Sequence, residues 1–320
     1  MMKPRRLAWV LVSVLVLVLG GIAFGRPASI TPVKVADGPV VATATVVPTP
    51  AHAAPPGAFP DPTNTGVPPG TRLTTYTGPC QLPAGTTIDA KIINCLHTAV
   101  QAMGPDVRIT RSQVNGRVLS DHSNGGSQQA SSISITDSII DGGDQEEFPA
   151  VAYDSITLLR VEIVGGQHSL QCNSGCTAVD SYLHGQYEGP NSTGHFNAFI
   201  SNGGRDFTLQ HNTIWCSVPQ TSHDGGCSAD ASFFGDFAPI VNVKVERNLF
   251  HATGGSYCIA GGYAPSGAKP YSASNVVIRD NVFQRGHNRK CGYFGAVTSV
   301  GTSAQGFVVM GNKFDDGSPL

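Results

Sequence analysis

Apolar and polar positions alternate through the second half of the chain, most clearly in VNVKVER, NVVIRDN and FVVMGNK. Valine, isoleucine and phenylalanine at alternate positions predict strands. After residue 104 no segment carries a long apolar stripe at helical spacing. The alternation is punctuated by a recurring motif. LQHNTI (209–214), VERNLF (245–250), IRDNVF (278–283) and VMGNKF (309–314) each read apolar, two variable residues, Asn, one variable residue, apolar. Asn212, Asn248, Asn281 and Asn312 stand 36, 33 and 31 residues apart. A weaker form runs through ITRSQV (109–114), ITDSII (135–140), LLRVEI (158–163) and AVDSYL (178–183).

Self-similarity at such a period predicts stacked units that bury a shared core. The 38 glycines and 22 prolines supply the turns between strands. The expected fold is all-β: a single-stranded right-handed parallel β-helix, a solenoid of about eight coils, over residues 59–320. Each Asn would turn inward at a bend and hydrogen-bond its equivalents above and below, satisfying buried polar groups. A tight-turn role in left-handed φ is the alternative at any single Asn.

The N-terminus differs in kind. MMKPRR is basic, and residues 7–25 are apolar without a charge. Such a stretch nearly spans a hydrocarbon core and also suits a secretory signal. AHA at 51–53 lies too far downstream of it for cleavage, which favours an uncleaved membrane anchor over residues 1–25 with the folded part outside. Residues 26–58, rich in Pro, Ala and Thr, read as a linker. Eight cysteines behind an export signal predict disulfides. Chain order suggests Cys80 with Cys95, Cys172 with Cys176, Cys216 with Cys227, and Cys258 with Cys291. The last two each stand 10 positions after a ladder Asn, at one register in adjacent coils, where strand spacing permits a bond. With no CxxC pair and an oxidising compartment, no metal site of zinc type is expected. A formal charge of −2 and a charged fraction of 13% leave no basic stripe for nucleic acid. A monomer is expected.

The opening FPDPTNTGVPPGTRLTTYTGPC (59–80), the repeats, and the segments HGQY, CSAD, GDFAP and KCG together resemble exported actinobacterial β-helix proteins of the pectin-lyase-like superfamily. The resemblance covers nearly everything from Phe59 onward. It implies the fold, and by analogy a carbohydrate substrate class, since the superfamily holds polysaccharide lyases, glycoside hydrolases and glycan binders. It also implies a place for the site: the first strand of each coil, flanked by the long loops after the third.

Those stretches are 182–201, 216–238, 251–271 and 284–297, and they hold most histidines and tyrosines of the second half. Aromatic rings cover the apolar faces of sugars while titratable groups move protons. A lyase needs a base and cations or calcium to stabilise enolate-like charge; Lys290, Arg285, Arg289 or His195 would serve, with Tyr257 or Tyr293 as acid. A glycosidase needs two carboxylates about 5–9.5 Å apart, for which Asp224, Asp230 and Asp236 are candidates. A binding module needs only the aromatic and polar wall. His184 completes the catalytic candidates, and Tyr187, Asn197, Arg285, Arg289 and Tyr293 are the candidate saccharide contacts. His195 and Asn197 are expected to alternate outward, and Tyr257 to stack beneath Lys290, since each precedes its cysteine. Bland roles stand beside these: a strand-end cap for His184, a loop brace for Asp230, a turn for Asp236, solvation for Lys290. DGGDQEE (141–147) is a candidate calcium loop without the spacing of a known one. The expectation is an exported protein that cleaves an acidic or wall-associated polysaccharide; the alternative is a non-catalytic glycan-binding or structural module.

Overall fold

The computed structural model describes residues 58–120, 130–221, 223–264 and 269–320, all within the unit Thr49–Leu320. The proposed anchor at 1–25, and the linker but for its last residue, lie outside the described residues. Among the described residues no helix is long and apolar enough to cross a membrane.

The chain winds as a parallel β-helix, each coil passing through three sheets. The ladder sheet stacks ten short strands, from Thr74–Thr75 and Lys91–Asn94 through Gln113–Asn115 to Lys313–Phe314. Two of its strands therefore precede the eight segments legible as repeats. The groove sheet runs from Gln81–Leu82 through Val100–Ala102, Val118–Ser120 and Val151–Asp154 to His195–Ser201, Gly226–Phe233, Tyr257–Ala260 and Gly295–Thr298. A flat sheet runs from Thr87–Asp89 through Val107–Thr110, Ile133–Thr136 and Ile156–Leu159 to Gly204–Gln210, Ile240–Glu246, Ala273–Arg279 and Phe307–Met310. The long strand His168–Val179 belongs to both, pairing with His195–Ser201 at one end and Gly204–Gln210 at the other.

The repeated motif encodes the corner between the flat and ladder sheets. One residue there adopts left-handed φ in every coil: Ala90, Arg111, Asp137, Arg160, Asp180, His211, Arg247 and Asp280, each between 46° and 55°, then Gly311 at 66°. The next residue turns inward as the ladder position. Asn212 Nδ2 donates to Asn248 Oδ1 at 3.0 Å, Asn248 to Asn281 at 3.0 Å, and Asn281 to Asn312 at 2.9 Å. Each ladder oxygen also accepts the backbone N–H of the preceding ladder residue. In earlier coils serine takes the slot. Ser112, Ser138 and Ser181 accept the N–H groups of Lys91, Ser112 and Val161, each at 3.0 Å.

Two residues beyond each ladder position a side chain points into the core. Ile93, Val114, Ile140, Ile163, Leu183, Ile214, Phe250 and Phe283 form one fully buried column, with the last two rings stacked at 5.0 Å. Burial of each such side chain stabilises the fold by about 1.5–3 kcal/mol. All four expected disulfides form, with Cα separations of 5.8–6.2 Å. The entering segment runs down the outside past successive corners. Phe59 stacks on His211 at 5.6 Å, the Gly66 N–H donates to Arg160 O, and the Thr74 N–H to Ala90 O. Gly66, at φ 76°, lies where a Cβ would meet Ile139 Cγ1 at 2.7 Å, so only glycine fits that crossing.

Candidate functional site

A groove of about 500 Å³ lies along the outer side of the groove sheet, walled by the loops that leave the ladder sheet. Its floor and walls include His195, Ser228, Ala229, Ser256, Tyr257, Ala260 and Thr298, with Gln220 and Asp224 from one loop and Tyr293 and Phe294 from another. The rings form a continuous aromatic wall. Tyr257 and Phe294 are 5.9 Å apart by centroid, and Tyr293 meets Phe294 edge-on at 4.8 Å. Tyr293 and Phe294 are 61% and 60% exposed, an unusual state for adjacent large aromatics. Gln220 closes the loop by donating from Nε2 to Cys227 O at 2.7 Å and Gly254 O at 3.0 Å.

Of the sequence-derived candidates, His195, Asp224, Tyr257 and Tyr293 come together in this groove. The others go elsewhere. Asp230 is fully buried; its Oδ1 accepts the Cys216 N–H at 2.7 Å, and its Oδ2 has no partner. Burial drives its carboxyl pKa well up, opposed by that one hydrogen bond. It lies within 4.8 Å of the sulfurs of Cys258 and Cys291, which are bonded to each other and hold no metal in that form. Asp236 accepts from Lys269 Nζ at 2.8 Å, and that ammonium also sits 4.7 Å over the Phe234 ring. His184 lies on the ladder sheet, its Nε2 3.0 Å from Glu162 Oε1 and its ring stacked 3.7 Å from Tyr182. Arg285 turns to the C-terminal coil, donating to Asp316 at 2.7 Å and lying over Phe314. Tyr187 is half-buried, and its N–H donates to Gly166 O; it does not line the groove.

Two expectations fail on register. Asn197 is buried, not outward beside His195: the strand pairing shifts between Phe196 and Asn197, and the bulge breaks the alternation. Asn197 instead accepts from Ser232 Oγ at 2.7 Å and donates its N–H to His168 Nδ1 at 3.1 Å. Tyr257 pairs with Gly295, not with the neighbourhood of Lys290. The loop after Phe283 runs longer than the loop after Phe250, so Lys290 and Arg289 are still in an exposed turn where the coil below has begun its strand.

Several residues escaped the sequence reading. Phe294, Ser228, Ser256 and Thr298 line the groove. The neighbouring Tyr293 was the only pointer to Phe294. Buried His168 has its pKa lowered to about 4 by desolvation and is neutral where Asn197 bonds to it. On the ladder sheet Trp215 and His251 pack at 5.1 Å, and burial first, then the charge of His184, lowers the His251 pKa. The acids of the candidate calcium loop are partly engaged with backbone: Asp141 accepts from the Gly143 N–H and Glu146 from the Gly189 N–H.

The chain has no match among protein-family models, curated proteins or solved structures.

Proposed function

We propose that the groove sheet is the saccharide-binding face of an exported β-helix protein, and that it holds a glycan without cleaving it. The observation that carries this reading is the aromatic wall of Tyr257, Phe294 and Tyr293 beside the hydroxyls of Ser228, Ser256 and Thr298. Rings pack on the C–H faces of sugars, and hydroxyls exchange hydrogen bonds with sugar hydroxyls. The groove is less well furnished for cleavage. Hydrolysis calls for two carboxylates across the scissile bond, and Asp224 is the one carboxylate among the described lining residues. Elimination calls for cationic stabilisation of the developing charge, and no Lys or Arg is among them. Kinship with pectin-lyase-like proteins of actinobacteria, a right-handed coil and anchoring through residues 7–25 belong to the same proposal. The parallel coiled sheets and the ladder corner support a solenoid of that kind, and the four disulfides support export.

The test is affinity electrophoresis of the full chain in gels carrying soluble polysaccharides, with reducing ends and unsaturated-uronide absorbance followed in parallel, with and without calcium. Retardation by a polysaccharide is expected, without new reducing ends or absorbance. Tyr293→Ala and Phe294→Ala should each weaken it about tenfold. Product formation would replace the binding reading with catalysis.

A further inference from the structure

We infer that the glycan this groove accepts is electrically neutral, and that polyuronates are excluded from it; the inference rests on the binding reading above. Around the groove, the nearby cations are already committed or stand outside it. Lys269 is paired with Asp236 and covers the Phe234 ring. Arg285 is held by Asp316, by Ser318 Oγ and by the Phe314 ring. Arg289 and Lys290 are exposed on the loop that bears Tyr293, yet neither is a lining residue. Among the described lining residues the titratable side chains facing a charged ligand are Asp224, His195, Tyr257 and Tyr293, with no Lys or Arg.

A polyuronate brings one carboxylate per sugar. Seating it against Tyr257, Phe294 and Tyr293 would strip water from those carboxylates with no cation to replace it, which is strongly unfavourable. Asp224, exposed at the rim, adds direct repulsion between like charges. A neutral sugar meets neither penalty. Its C–H face suits the exposed rings, and Ser228, Ser256, Thr298 and Ser299 offer uncharged partners to its hydroxyls. The charge of the wall thus selects against the acidic glycans that the sequence pattern first suggests.

Calorimetric titration of the full chain with cellohexaose, xylohexaose, mannohexaose, laminarihexaose and hexagalacturonate, at about 20 and about 300 mM salt, tests this. At least one neutral hexasaccharide should bind about tenfold or more tighter than hexagalacturonate, with less than about twofold change between salts. Equal or tighter binding of hexagalacturonate, weakening with salt, overturns the inference while leaving the binding reading intact. Binding of none of the five overturns both. A gain-of-function variant guards against misfolding: Asp224→Lys should raise hexagalacturonate affinity about tenfold, in a salt-sensitive manner. An unchanged hexagalacturonate affinity in that variant overturns the assignment of charge as the selecting property.

Discussion

The two halves of the ladder solve one problem with side chains of different reach. Each serine hydroxyl accepts the N–H of the coil before it and donates to a carbonyl two residues back in its own coil, as Ser112 does to Thr110 O and Ser138 to Thr136 O. It joins two coils. Each interior asparagine joins three: Asn248 donates to Leu209 O in the coil before and to Asn281 Oδ1 in the coil after, while its own oxygen accepts from Asn212. At Val161 the slot holds no polar group at all. The asparagine half is also the half whose ladder positions lie 31–36 residues apart, against 20–26 among the serine bonds. Longer coils mean longer loops, with a larger closure entropy to offset. The aromatic groove is built on those loops, so the stronger corner lies beneath the site.

The serine half leans instead on charges carried by its left-handed corner residues. Arg160 grips Asp137 through Nε–Oδ1 at 2.6 Å and Nη2–Oδ2 at 3.0 Å, with side chains only 8% and 11% exposed. Asp137→Ala leaves that guanidinium buried and unpaired, and should cost about 3–5 kcal/mol, the largest effect expected at any corner. Denaturant unfolding of the full chain measures it. Next comes Asn248→Ala, which orphans the Asn212 N–H and breaks the side-chain links to Leu209 O and Asn281 Oδ1, and should cost about 2–4 kcal/mol. Hydrogen exchange should show the loss in coils on both sides of residue 248, since a solenoid transmits stability between neighbours. Ser138→Ala orphans the Ser112 N–H alone; about 1–2 kcal/mol, with added exchange limited to the preceding coil, is expected. Equal spread in the two ladder variants would erase the distinction between two-coil and three-coil links.

A pH titration sharpens the comparison along the groove sheet. His168 has a folded pKa of about 4, below the usual 6.5, so the unfolded chain binds the proton more tightly. The His168 contribution should therefore be full above pH 6.5 and fall as pH drops toward about 4, by about 3 kcal/mol. Asp230 has the opposite sign. Its folded pKa is raised, so its neutral form favours the fold below the unfolded value of 3.8, and that contribution declines as pH rises. Asp230→Asn removes that opposing decline, which begins at pH 3.8 and overlaps the His168 window, so the gain in stability between about pH 4 and 6.5 should steepen. Denaturant unfolding across that interval measures the slope, and an unchanged slope in the variant would show that Asp230 does not oppose His168 there.

Much of the fold is written in local pattern. The corner combines one left-handed residue, a slot filled by a short polar side chain in every coil but those of Lys91 and Val161, and an apolar residue two positions on, and these fall within six residues of sequence. Serine at 112, 138 and 181 was visible as the same motif in weaker form because it fills the same slot. The strands at Thr74–Thr75 and Lys91–Asn94 were not, since Lys91 stands in the slot without taking a ladder side chain's part. The disulfides were readable because three are closed within 15 residues and the fourth spans one coil. The site was only partly legible. Loop length displaced Lys290 from Tyr257, a bulge turned Asn197 inward, and loops roofing the strand at 226–233 buried Asp230 where alternation alone would leave it a free choice. Long-range covering of this kind leaves no trace in local periodicity.

The uniform corner has a bearing on how such a chain can change length. Because each coil ends on the same three-part turn, a duplicated stretch running from one ladder residue to the next would re-enter the stack in register, its own side chain completing the spine where it was cut. Growth or trimming by whole coils then alters the length of the groove sheet without redesign of the interior, whereas a change of one or two residues within a strand would turn core to solvent. The coil, not the residue, is the natural unit of insertion in this molecule.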